Sequence, residues 1–308
     1  MRVLTGVKRI GHTGTLDPFA SGVLVLAFDD ATKLIPYIPS YSKSYDCTLF
    51  LGEERETADC TGAIVSSKMV PTLTRETLDK VLLSFYGQQK QTPPIYSAIK
   101  VQGRKLYEYA RAGENVVIPS RIVQIDSIRN MVLEASGREI SFTVDCSKGT
   151  YIRSLGCDVA KSLGTVGHLN RLRRLQSDGI AIEQCVTFEQ LAFWAAGEEA
   201  AKDWEIALRK EGKKLYPRID RSKFLQKLQS YCLSVRACFE GMASCSVDQE
   251  MAVAISQGKS PKIQIAENQE LVQILWNGEL LAIAKQQEQL LKLQRVNPSI
   301  IQLLRKSC

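Results

Sequence analysis

The chain reads as an α+β protein built on a largely antiparallel sheet with flanking helices. Three observations carry that reading. Segments of strict two-residue alternation are interleaved with segments of three- and four-residue apolar spacing. The intervals between them lack the regular strand-helix-strand spacing of a doubly wound sheet. A composition of 44% hydrophobic and 24% charged residues across 308 positions is that of a globular chain large enough for more than one core.

In chain order, Gly11-His12-Thr13-Gly14-Thr15-Leu16-Asp17-Pro18 cannot be a regular helix, because it holds two glycines and a proline. It is read as a tight loop that presents Asp17 and leads into a strand from Gly22 to Phe28. Tyr45 to Gly52 places Tyr45, Cys47, Leu49 and Leu51 on one side of an extended chain. Glu139 to Cys146 does the same with Ile140, Phe142, Val144 and Cys146. Between these strands Thr74 caps a helix whose Leu78, Val81, Leu82 and Phe85 form a core stripe, with Gly87 as its stop. Thr150 is expected to cap a second helix, with stripe Ile152, Leu155, Val159 and Leu163, ending at Gly164; Arg153 lies beside that stripe. Thr187 and Gln190 form a capping-box pair for a third helix. Near the end, Asn277-Gly278 between two apolar runs is a hairpin signal, and Leu290 to Val296 offers a further strand.

The domain organisation that follows is a main domain over 1–196, a charged helical linker or elaboration over 197–234, and a small β domain over 235–308. The formal net charge is +7, and it is localised. Residues 202–227 carry +5 through Lys202, Arg209, Lys210, Lys213, Lys214, Arg218, Arg221, Lys223 and Lys227 against four acids, and Arg171, Arg173 and Arg174 add +3. Such clusters are either solvated faces or contacts for an anionic partner.

Several function classes are disfavoured. The nine cysteines include no C-x-x-C pair and the only histidines are His12 and His168, so no structural zinc site or other metal site is expected. Odd count and irregular spacing point to reduced thiols in a cytoplasmic protein. The apolar runs are far shorter than the roughly 18 residues of a membrane span, so no membrane association is expected. Gly6 to Thr13 nearly matches a phosphate loop, but His12 stands where lysine should reach the phosphates, and Gly14 with Pro18 opposes the helix that should follow. A nucleotide-binding protein is therefore the weakest of the readings, and no nucleotide cofactor is expected.

From Gly6 to about Ser177 the chain resembles the TruB-type tRNA pseudouridine synthases. The resemblance is carried by Gly11 to Pro18, Lys43-Ser44-Tyr45 continuing to Leu51-Gly52, Thr57-Ala58-Asp59, Pro93 to Lys100, Gly103 to Arg111, Lys148 to Arg153 and Leu172-Arg173-Arg174-Leu175, in the family's order. It implies a pseudouridine synthase sheet and isomerisation of a uridine in the T arm of tRNA, at position 55 of tRNA numbering. The N-glycosidic bond is cut, the base is rotated, and C5 is joined to the sugar, without any cofactor.

The resemblance assigns Asp17 as the catalytic carboxylate and Arg153 as its partner; apart from it, Asp17 reads equally as a turn residue and Arg153 as an exposed helix charge. A carboxylate acting as nucleophile or base must be ionised, and an arginine within ion-pair distance offsets the penalty of burial. Tyr45 takes the position whose ring stacks on the target base, with its hydroxyl near C5, and Leu172 lines the pocket; both are otherwise ordinary core residues.

A base in a folded T loop must leave its stack, at a cost of a few kcal/mol. The resemblance implies that His12 fills the vacated space, and stacking of a ring on unpaired bases is a common device of RNA recognition. Gly103 to Gly113 resembles a mobile thumb, with Arg104, Lys105 and Arg111 for phosphates, and Arg171, Arg173 and Arg174 extend that surface.

Against the family pattern the sequence as given lacks a first strand, a turn with Lys-Pro-x-Gly and a helix, which reads either as a misplaced start or as a strand truly absent. The 235–308 region resembles the family's PUA-like domain loosely. The expected partner is the T-arm stem-loop of tRNA, bound by a monomer. The competing reading is an RNA-binding or tRNA-folding module without catalysis.

Overall fold

A computed structural model describes residues 1–39, 41–198, 202, 220–261, 263, 270–287 and 290–301. The chain is α+β and divides into two compact units: Leu16–Val23 with Ser40–Ser177, and Met1–Thr15 with Leu24–Pro39 and Asp178–Cys308.

In the first unit a sheet runs in the order Gly167–Ser177, Lys43–Leu51, Glu139–Cys146, Arg121–Leu133, Gly87–Gln91, each neighbour antiparallel to the next. The alternation in 43–51 and 139–146 explains the pairing. Cys47, Leu49 and Leu51 and their partners Phe142 and Ile140 all turn to one face and are buried. Two helices cover that face. Arg75–Leu83 contributes Leu78 and Leu82, and Ile152–Ser162 contributes Ile152, Leu155 and Val159. Gly156 allows the second helix its close approach, since a Cβ there would stand 3.0 Å from Leu169.

Three local expectations need correction. The stretch Gly22 to Phe28 is not one strand: Ser21–Gly22 pairs in parallel with Arg173 and Arg174, while Leu26–Phe28 is a separate strand in the other unit. The chain breaks at Val23 because both its peptide groups are engaged by Arg174 instead of by a continuing ladder. Thr150 does not cap the 152–162 helix. Its hydroxyl donates back to the Ser147 carbonyl at 2.9 Å, and the N-cap position falls to Tyr151. Gly87 is not the stop of the first helix, which ends at Leu83 with Ser84 as C-cap; Gly87 opens the strand Gly87–Gln91.

In the second unit, Thr187 caps Phe188–Ala196 through its reciprocal pair with Gln190, as the motif predicts. Leu191 packs there with Leu4 and with Phe224 and Leu228 of the helix Arg221–Gln229. Leu271–Trp276, Glu279–Gln287 and Leu290–Val296 form an antiparallel meander. Its first turn has positive φ at both Asn277 (49°) and Gly278 (78°). Ser244–Ser246 adds a parallel edge strand, and the helix Gln249–Ser256 packs Ala252 and Ile255 on the sheet. Arg209, Lys210, Lys213, Lys214 and Arg218 of the basic stretch lie outside the described residues. No described helix is long and apolar enough to cross a membrane, and the described cysteines are all free thiols.

Candidate active site

Asp17 occupies the first position of a tight turn. The Ala20 N–H donates to its carbonyl at 2.9 Å, with Pro18 setting the corner. The turn engages the backbone and leaves the carboxylate free. Oδ2 accepts from Arg153 Nε at 2.8 Å and Oδ1 from Nη2 at 3.0 Å, a bidentate pair that fixes the carboxylate plane against the guanidinium. The backbone of Asp17 makes the turn, while its carboxylate meets the guanidinium.

Arg153 is only 3% exposed, so its N–H groups need partners inside the protein. Nη1 donates to the Thr57 carbonyl at 2.7 Å and Nη2 to the Tyr96 carbonyl at 2.9 Å. The second carboxylate, Asp59, lies 3.7 Å from Nη1 and is itself buried. Its Oδ1 accepts from the Thr57 hydroxyl at 2.7 Å and from the Thr61 N–H and hydroxyl at 3.0 and 2.5 Å. One buried cation is thus shared between a buried acid and a partly open one, for the Asp17 side chain is 30% exposed. The charge of Asp59 is satisfied inward and that of Asp17 faces outward, where it can meet a reactant.

Helix geometry alone does not put Arg153 there. The Gln91 side chain grips the Tyr151 peptide on both sides, accepting from its N–H at 2.8 Å and donating to its carbonyl at 3.1 Å. Ser154 Oγ donates to the Thr92 carbonyl at 2.8 Å. The segment after the Gly87–Gln91 strand therefore anchors the helix on either side of Arg153, and the same segment supplies the Tyr96 carbonyl. Gln91 and Asp59 were missed as site residues by sequence reasoning. Asp59 sat in a quoted motif, and its signal was the pair of flanking threonines; Gln91 left none.

Tyr45 lies on the 43–51 strand, 8% exposed, with Arg174 opposite it across the ladder. Burial pushes its phenol up to about 12, partly countered by the Arg174 guanidinium across the ladder; Cys146 and Asp17 are the other groups that act on it. The phenol is therefore neutral near pH 7, and it shares an electrostatic neighbourhood with Asp17. Leu172 is buried beside this strand, opposite Cys47, and belongs to the same core cluster.

The remaining expected residues divide sharply. Arg171 and Arg173 are exposed on the 167–177 strand, whereas Arg174 is 2% exposed. Successive side chains of a strand point to opposite faces, so three neighbouring arginines cannot form one surface. Arg174 is corrected from a phosphate contact to an inward-facing residue. Arg104 pairs with Glu114 at 2.8 Å and covers the Tyr109 ring; Lys105 and Arg111 lie over the Tyr107 ring, and Arg111 is exposed. Their segment is a two-residue hairpin turning at Gln102 and Gly103, followed by the helix Leu106–Ala112. His12 stands exposed on a short strand, Ile10–His12, in the second unit.

A buried arginine thus holds one inward and one outward carboxylate. The family model of the TruB family pseudouridylate synthase N-terminal domain matches residues 2–152. These residues belong to the TruB family. Among curated relatives, the tRNA pseudouridine synthase B of Psychrobacter cryohalolentis is 37% identical over 252 residues, 82% of this chain and 62% of the relative. That of Bacillus subtilis is 43% identical over 195 residues, 62% of this chain and 63% of the relative. The chain thus spans about three fifths of the length of the curated relatives it matches. Among solved structures, a Cbf5-Nop10-Gar1 complex aligns with a TM-score of 0.64 at 20% identity, covering 96% of this chain and 78% of that one. An H/ACA RNP bound to a substrate RNA containing 2'-deoxyuridine aligns with a TM-score of 0.61 at 19% identity, again over 96% of this chain. These likenesses show that the chain shares the fold of those proteins. Asp17, Tyr45, Asp59 and the 104–111 segment all fall inside the matched TruB region, while Arg153 follows it by one residue and Arg174 by 22.

Proposed function

We propose that the protein isomerises uridine to pseudouridine in tRNA, acting at position 55 of the T arm with Asp17 as the catalytic carboxylate. The observation that carries this reading is the bidentate Asp17–Arg153 pair, buried on the arginine side and open on the carboxylate side, in a TruB-family chain whose curated relatives are named tRNA pseudouridine synthase B. The arginine holds the carboxylate in a fixed plane, as a nucleophile or base at a sugar-base bond requires.

Tyr45, neutral and held in the strand, offers a ring against which an everted pyrimidine can rest. Leu172 supplies an apolar wall. Arg104, Lys105 and Arg111 of the hairpin and helix at 100–112, with the exposed Arg171 and Arg173, supply the cations for RNA phosphates, and His12 the ring that takes the place of the flipped base. Phosphate contacts of this kind weaken as salt rises.

The test is conversion of a T-arm stem-loop by the purified protein, with pseudouridine detected by chemical labelling and mass spectrometry. The parent chain is expected to form product, and Asp17→Asn to bind the RNA without forming it. Equal product from both would remove Asp17 from the reaction; no product from the parent would overturn the reading as a whole.

A further inference from the structure

Arg174 is the buried cation that the site description leaves without a task. It is among the largest fully buried side chains of the chain, a position that arginine rarely takes unless its polar atoms are engaged. Its contacts converge on one peptide and one phenol. The Val23 N–H donates to the Arg174 carbonyl at 2.9 Å, while Arg174 Nε donates to the Val23 carbonyl at 2.8 Å. Arg174 therefore holds residue 23 from both sides, directly after the Ser21–Gly22 strand that leaves the Asp17 turn.

The approach is close enough to exclude any side chain at Gly22, where a Cβ would fall 2.1 Å from the Arg174 carbonyl oxygen and φ is +102°. Across the ladder Arg174 faces Tyr45, and its positive charge acts on the Tyr45 hydroxyl, opposing the rise that burial gives the phenol.

We propose that Arg174 is a positioning residue for the reaction: it ties the exit of the Asp17 turn to the Tyr45 hydroxyl, so that carboxylate and phenol are held on one frame. The proposal rests on the isomerase reading above. Arginine suits the task because its planar fork reaches two acceptors at once, whereas a lysine of similar length offers one point charge. Substitution by lysine keeps the charge but leaves either Val23 or Tyr45 unheld.

The experiment uses Arg174→Lys and Arg174→Gln in the full chain. Three quantities are compared with the parent: single-turnover conversion of a T-arm stem-loop, affinity for that RNA, and the ring-carbon NMR signals of labelled tyrosine, with Tyr45 assigned by the signal lost in Tyr45→Phe. The expected result is a rate at least about tenfold lower with affinity within about twofold, together with a displaced Tyr45 signal while the other tyrosines stay in place. A lower rate with the Tyr45 signal unmoved, a moved signal with the rate unchanged, or a loss of affinity matching the loss of rate would each overturn the assignment. Failure of both variants to fold, read by circular dichroism, would make Arg174 a purely structural residue and overturn it as well. Absence of product from the parent in the same assay would strike the isomerase reading instead, so the two failures are separable.

Discussion

Two ion pairs of the same length make opposite uses of an arginine. Arg153 meets Asp17 at 2.8 Å and Arg104 meets Glu114 at 2.8 Å. In the first pair the arginine side chain is 4% exposed; in the second the two side chains are 36% and 51% exposed. Water competes for both members of the second pair and screens them, so the pair can open without leaving a charge stranded. Around Arg153 no such replacement exists, because two carbonyls and a second carboxylate converge on the same guanidinium. Distance therefore says little about strength. The deep pair is held in place from several sides; the outer pair can open to water.

The strongest way to break this comparison is Arg153→Met. Removing the cation leaves Asp59 as a buried carboxylate without its counter-charge, a change that typically costs about 3 to 5 kcal/mol. The urea midpoint should fall steeply and pseudouridine formation should vanish. Arg153→Lys should recover part of the stability and little of the activity, since an ammonium cannot reproduce the bidentate grip. A midpoint as high in Arg153→Met as in the parent would show that the deep pair contributes no more to stability than the outer one.

Asp59→Asn is the next largest. Asparagine can still accept from Thr57 and Thr61, so the loss of stability should be about 1 kcal/mol. The rate should fall by about tenfold or more, because Arg153 then answers to Asp17 alone and the balance that leaves Asp17 available shifts. Single-turnover rates set beside denaturation curves separate the two effects; equal losses in both would reduce Asp59 to a folding residue.

How far the site was legible in the sequence follows the same division between inner and outer. Features set by local chemistry were readable: the Asp17 turn through the glycines and proline around it, the Thr187 cap through Gln190, and the Asn277-Gly278 turn. The strand alternation at 43–51 and 139–146 located the sheet, and the stripe at 152–163 located its covering helix. What stayed hidden depends on partners far away in the chain. Gln91 caps a helix that begins 60 residues later, and no local pattern marks it. Arg174 was grouped with Arg171 and Arg173 by proximity in sequence, yet strand alternation turns it inward, and its partners Val23 and Tyr45 come from two other segments. Charge counting finds clusters; it does not find the face on which each member stands.

Gln91→Leu sharpens the comparison by loosening Arg153 without touching it. The substitution leaves the Tyr151 N–H without its partner beside a buried side chain, while the carbonyl keeps the Leu155 N–H at 3.1 Å, and the loss should cost about 1 to 3 kcal/mol. Because the clamp sits two residues from Arg153, the conversion rate should fall while RNA affinity holds. An unchanged rate alongside a lowered melting temperature would place the positioning of Arg153 in Thr57, Tyr96 and Asp59 instead.

Arg104→Ala is expected to have the smallest effect, and it tests the outer pair directly. Its guanidinium also caps the Glu108 carbonyl at 2.9 Å and lies over the Tyr109 ring, but every one of these contacts is near solvent. The denaturation midpoint should stay where it is in the parent. RNA affinity should fall modestly, and the dependence of binding on salt should become shallower by about one released ion, as expected when a single phosphate contact is removed. Conversion at saturating RNA should be unaffected, since Arg104 has no contact with Asp17, Tyr45 or Arg153 among its hydrogen bonds. If the midpoint falls as it does for Gln91→Leu while the salt dependence keeps its slope, Arg104 belongs with the inner, structural arginines, and the division drawn from exposure fails.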